Sequence, residues 1–124
     1  MKLDESVFKP TGISRTDVFF NGDFINDSKE LFYKKNPGAK GKKIVLWAPT
    51  FRGNPSNPYS VGDEAVMKLA SELFESDKWY LVTKSHPHMK KPVAQQTESD
   101  LPTEMLFACA DLLITDYSSV IYEY

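Results

Sequence analysis

The sequence predicts an α/β fold: a parallel, doubly wound, Rossmann-like sheet with helices on both faces. Two observations carry this. Three short runs, Lys43–Ala48, Trp79–Thr83 and Leu112–Ile114, are almost continuously apolar, as strands covered by helices on both sides must be. Each run is followed by a polar turn, and helical periodicity fills the intervals between them, an alternation that favours parallel strands joined by crossovers.

The first 26 residues scatter Phe8, Phe19, Phe20 and Phe24 among the turn residues Asn21-Gly22-Asp23, and read as an arm or linker that packs by its rings. The partial domain proper spans 27–124. Asp27 with Glu30 three residues on has the spacing of a capping box and starts a helix through Leu31 to Lys35, which Asn36-Pro37-Gly38 ends. The β-branched opening of the first apolar run and Pro49 just after it mark a strand, and a long polar loop, Thr50 to Tyr59, follows. Ser60 to Asp63 then caps a helix whose Val66, Leu69, Ala70, Leu73 and Phe74 recur at helical spacing. The strand Trp79–Thr83 leads into Lys84-Ser85-His86-Pro87 and a polar stretch to Asp100. A short helix, Pro102 to Cys109 with Met105, Leu106 and Cys109 inward, feeds the strand at Leu112, which is read as buried on both faces. After it, Thr115, Asp116, Ser118 and Ser119 place four oxygen-bearing side chains before an apolar run that opens a helix.

Composition sets bounds on function. With 124 residues, 41% of them hydrophobic, the chain fills one domain with a real core. A net charge of -2 gives no general attraction to nucleic acid. The lone Cys109 has no partner for a disulfide or zinc site and reads as a small buried residue in a reducing compartment. No run reaches the roughly 20 apolar residues that span a bilayer, so a cytoplasmic chain is expected. There is no Asp-x-Asp metal motif and no glycine-rich phosphate loop, so neither a metal nor a cofactor is implied.

In a parallel sheet the loops after the three strands leave from one edge, where ligands of open α/β sheets bind. That edge gathers Thr50, Arg52, Lys84, His86, Asp116, Ser118 and Ser119. A guanidinium, an ammonium, an imidazole and several hydroxyls suit a diphosphate, whose charge is spread over many oxygens. A helix N-terminus would add backbone N–H donors. His86 has an ordinary pKa of about 6.5, so a phosphate beside it would keep it protonated and let it donate to a leaving phosphate oxygen. Each residue has a plainer use. Ser and Asp are ordinary helix caps, which spacing alone favours for Asp116 and Ser118, and a single Arg or His in a loop is often only solvated.

The blocks Lys43 to Arg52 (KIVLWAPTFR), Lys84 to Pro87 (KSHP) and Ala110 to Ile121 (ADLLITDYSSVI) resemble the CDP-glycerol glycerophosphotransferase family, the teichoic acid primases and polymerases. Gly12 to Asp17 also resembles that family's Gly-x-Pro-Arg-x-Asp segment, with Ser14 in place of the proline. The resemblance implies half of a two-domain GT-B enzyme whose C-terminal domain binds the nucleotide donor. An acceptor hydroxyl would attack the glycerol-bearing phosphate of CDP-glycerol and release CMP. It implies a diphosphate or leaving-group role for His86, phosphate contacts for Ser118 and Ser119, and a lining role for Thr50 and Arg52. The partners it implies are CDP-glycerol, a lipid-linked polyol-phosphate acceptor and an N-terminal domain that supplies the base, with the whole protein peripheral at the inner face of the cell membrane. The chain alone is therefore expected to turn over weakly or not at all, and apolar surface left bare would favour a homodimer. Two other readings stay open: a GT-B glycosyltransferase that uses a nucleotide sugar, and a non-catalytic interaction module.

Overall fold

The computed structural model describes residues 4–50, 52–54, 57–59, 63–75, 77–84 and 97–124. At its centre is β1 (Lys43–Ala48), whose residues from Ile44 onward are all buried. β4 (Trp79–Thr83) pairs with it in parallel on one side and β6 (Leu112–Thr115) in parallel on the other. The two-residue β5 (Thr97–Glu98) extends the sheet beyond β4, so the order is β5-β4-β1-β6. The polar loop after β1 folds into a hairpin of β2 (Arg52–Asn54) and β3 (Asn57–Tyr59) instead of remaining irregular. Antiparallel pairing of its two arms satisfies backbone groups that its side chains cannot.

Both faces of the sheet are covered, as expected of a Rossmann-like fold. Ile44, Leu46, Ala48 and Val82 point to a core shared with Phe32 of α1 (Gly22–Lys35) and with Leu106, Phe107 and Cys109 of α3 (Thr103–Cys109). Val45, Trp47 and Leu81 face the other way, against Val66 of α2 (Asp63–Glu75). This is the alternation of a strand buried on both sides. Residues 60–62, where the cap of α2 was placed, lie outside the described residues, and Leu69 of its apolar stripe is 41% exposed.

Three expectations need correction. First, β6 borders only one described strand, so its faces stay partly open: Leu112 is 43% exposed and Leu113 to Thr115 are half-buried. Second, no α-helix follows it among the described residues. Ser119–Tyr122 forms a single 3-10 turn, whose dipole is slight. Third, α1 starts at Gly22, not at Asp27. The Asn21 side chain accepts the N–H groups of Asp23 (3.0 Å) and Phe24 (3.3 Å), a complete N-cap that allows the helix five more residues. Ahead of it a 3-10 helix, Ser14–Phe20, lays the Phe19 ring against Phe24 and Phe107, with centroids 6.3 and 6.4 Å apart, whereas Phe8 and Phe20 stay exposed.

The true cap is the costly one to lose. Asn21→Ala should lower the unfolding free energy by about 1 kcal/mol. Asp27→Ala, at an exposed mid-helix position, should change it by no more than about 0.5 kcal/mol in the same denaturant titration.

Burial pushes the Cys109 thiol up to about 11, only partly offset by the positive charge of Lys29. The folded chain therefore keeps this proton where the unfolded chain releases it. Stability from this group is full below the ordinary thiol range and is lost as pH rises toward 11. Thiol labelling of the native protein at pH 8 should be about a hundredfold slower than in denaturant.

Candidate functional site

The sheet reverses its direction of growth at β1: chain order runs outward through β4 and β5, then returns to the opposite flank with β6. Such a switch point opens a crevice at the carboxyl ends of the two diverging strands, where open α/β sheets bind ligands. In this sheet the switch point falls between the ends of β1 and β6, where Ala48 is in register with Thr115. Strands in a sheet stand about 4.8 Å apart, so the ends of β4, β1 and β6 form one rim roughly 10 Å across.

Side chains stitch the rim together. The Thr115 hydroxyl donates to the Ala48 carbonyl at 2.6 Å. One residue on, both carboxylate oxygens of Asp116 engage Thr50: Oδ1 accepts its backbone N–H at 2.8 Å, and Oδ2 accepts its hydroxyl. The loops after β1 and β6 are thus joined by residues 66 positions apart. The Ser118 N–H donates to the Asp116 carbonyl at 2.7 Å, and the Ser118 hydroxyl accepts the Val120 N–H at 3.4 Å, capping the 3-10 turn. Ser119 and Tyr117 are exposed beside it, Tyr117 at 95%.

Lys84 stands at the end of β4, its N–H donating to the Trp47 carbonyl at 2.8 Å. Its ammonium turns toward β5 and meets the Ser99 carbonyl at 3.2 Å. Arg52 opens the hairpin two residues past Thr50, and only its backbone is described. His86 and the rest of the His-Pro block lie outside the described residues. The structure therefore brings Thr50, Asp116 and Ser118 together, with Ser119 adjoining, and sets Lys84 on the neighbouring strand end.

Two contacts had no local signal in the sequence. The Thr50–Asp116 pair becomes visible only once β1 and β6 are known to be neighbours in register. Likewise Arg15, in the segment Gly12 to Asp17, forms an ion pair with Glu123, whose side chain is 8% exposed. This ties the N-terminal 3-10 helix to the end of the serine turn.

A cavity of about 400 Å³ lies elsewhere, lined mainly by Phe19, Phe20, Ile25, Phe107 and Tyr124. None of the rim residues touches it; its Thr16 and Tyr124 hydroxyls donate to backbone carbonyls, and the Glu123 carboxylate in its wall repels a diphosphate. Among the described residues no three of His, Cys, Asp and Glu come together to hold a metal ion, and no helix is long and apolar enough to cross a membrane.

Residues 2–124 match the family described as CDP-glycerol:poly(glycerophosphate) glycerophosphotransferase. The chain belongs to that family. Among relatives, a teichoic acid ribitol-phosphate primase of Bacillus spizizenii is 37% identical over 99% of this chain and 33% of its own length. Among solved structures, a histidine-to-asparagine variant of the wall teichoic acid polymerase TagF superposes with a TM-score of 0.68 at 22% identity, over 98% of this chain and 32% of that one. A TagF variant soaked with CDPG matches with a TM-score of 0.54 at 24% identity, over 98% of this chain and 30% of that one. The fold is thus that of the matching part of TagF, and the chain spans between a fifth and a third of the length of the curated relatives it matches.

Proposed function

We propose that this chain supplies the nucleotide-donor side of an alditol-phosphate transferase that builds teichoic acid or a related wall polymer. The observation that carries the proposal is the meeting of the β1 and β6 loops at the switch point in a chain of this family, with hydroxyls and backbone groups gathered on one rim. The CDPG soak of TagF supports a cytidine diphosphate donor. The ribitol-phosphate primase supports testing ribitol beside glycerol.

In this reading the donor domain, expected from the sequence at residues 27–124 with an arm at 1–26, takes in the whole of α1 from Gly22, and a further domain brings the acceptor and its base. Ser118, Ser119, Arg52 and Lys84 hold the diphosphate, while Thr50 and Asp116 form the wall of the site. An acceptor hydroxyl oxygen bonds to the alditol-bearing phosphorus as the bond from that phosphorus to the CMP oxygen breaks. The acceptor proton passes to the base of the other domain, and the leaving CMP oxygen is neutralised by the protonated His86. The acceptor is a lipid-linked polyol phosphate, and the whole protein works at the inner face of the membrane. The edge of β6, unpaired among the described residues, and the exposed Leu112 and Ile121 give a second copy of the isolated chain a place to pair.

Calorimetry on the folded chain tests the reading. CDP-glycerol or its ribitol counterpart should give saturable heat at roughly millimolar concentration or below, competed by CMP in preference to UMP or GMP, with no turnover. Arg52→Ala and His86→Ala should each weaken binding about tenfold, the usual effect of losing a charged hydrogen-bond donor. Preference for UMP or GMP would point to a nucleotide-sugar enzyme. No heat with either donor would leave a non-catalytic module, and normal turnover by the chain alone would contradict the need for a second domain.

A further inference from the structure

Thr50 has one N–H and one O–H proton to offer, and both go to Asp116: the N–H to Oδ1 at 2.8 Å, the hydroxyl to Oδ2. A hydroxyl carries a single proton and two lone pairs, and an ionised carboxylate carries none to donate. Thr50 therefore has no proton left for a phosphate oxygen, which only accepts. Its Oγ1 keeps lone pairs, and their basicity rises when the attached proton is given to an anion, because chained hydrogen bonds polarise one another.

We infer that Thr50, set by Asp116, is an acceptor in the donor crevice, so that this corner takes a ligand hydroxyl and excludes phosphate. The inference rests on the donor-binding reading above and assigns Thr50 to specificity and Asp116 to positioning. The hydroxyl has two sources in a cytidine diphosphate alditol, the ribose and the alditol itself. The neighbouring Ser118 differs from Thr50: its oxygen accepts the Val120 N–H, which leaves its own proton for an outside acceptor. The rim thus divides into an accepting half at Thr50 and a donating half at the serine turn, as a ligand with both hydroxyls and phosphates requires.

Calorimetry with four probes, CDP-glycerol, CDP, 2′,3′-dideoxy-CDP and pyrophosphate, separates the possibilities. Thr50→Val keeps shape and N–H but removes the oxygen. It should weaken hydroxyl-bearing ligands about fivefold, the usual effect of one lost neutral hydrogen bond, and leave pyrophosphate unchanged, whereas Thr50→Ser should restore the loss. A loss confined to CDP-glycerol assigns the alditol hydroxyls. A loss shared by CDP-glycerol and CDP but absent from dideoxy-CDP assigns the ribose. Asp116→Asn turns an NH2 toward Thr50, frees the hydroxyl proton and should tighten pyrophosphate binding. The thermal transition of each variant confirms that it is folded at the assay temperature. Equal weakening of all four probes by Thr50→Val, no weakening of any, or pyrophosphate binding unchanged or weakened by Asp116→Asn overturns the inference. Absence of binding by the unsubstituted chain instead overturns the donor-site reading beneath it.

Discussion

The parallel ladder that holds β1 between β4 and β6 is the constraint on which everything else rests. β1 can be apolar along nearly its whole length because both flanks and both faces are occupied, and that burial fixes the register at Ala48 and Thr115. A slip of one residue would turn Ile44 and Leu46 from the α1–α3 side to the α2 side. The rim inherits its geometry from this register: a residue two positions beyond β1 meets one just beyond β6 because the two strands end level.

Polar satisfaction follows the same logic in the interior. Ser28 is fully buried and gives its hydroxyl to the Phe24 carbonyl at 2.6 Å. Asn36, at the end of α1, donates to the Phe32 carbonyl at 3.0 Å and accepts from the Tyr80 hydroxyl at 3.3 Å. That last contact fixes the exit of α1 against β4, so the helix that covers one face is clamped to the sheet by a hydrogen bond as well as by Phe32. Buried groups left without such partners would cost more than the bonds themselves contribute.

Much of this was legible in the sequence where the signal is local. The apolar runs at Lys43–Ala48 and Trp79–Thr83 gave both strand positions, and the stripe through Val66 gave α2, because burial writes itself into composition over a few residues. What failed needed knowledge of neighbours. Leu112 to Ile114 look as apolar as a central strand, yet their openness is decided by how many strands lie alongside. Asp27 and Glu30 mimic a capping box, but Asn21 caps first, and a helix already under way has no use for a second cap. The hairpin at Arg52–Tyr59 hides behind Pro and Asn, which read as loop. At the site, the residue types around Thr50, Asp116 and Ser118 were visible, but not that Asp116 spends both oxygens on Thr50, since nothing within 66 residues announces that pair.

The Arg15–Glu123 ion pair has a mechanical meaning. The serine turn lacks the internal bracing of an α-helix, and its far end is held by a side chain from the opposite end of the chain, with the Tyr124 ring stacked edge-on against Phe107 at 5.6 Å. The N-terminal 3-10 helix thus works as a guy-line on the serine turn, holding its far end at Glu123.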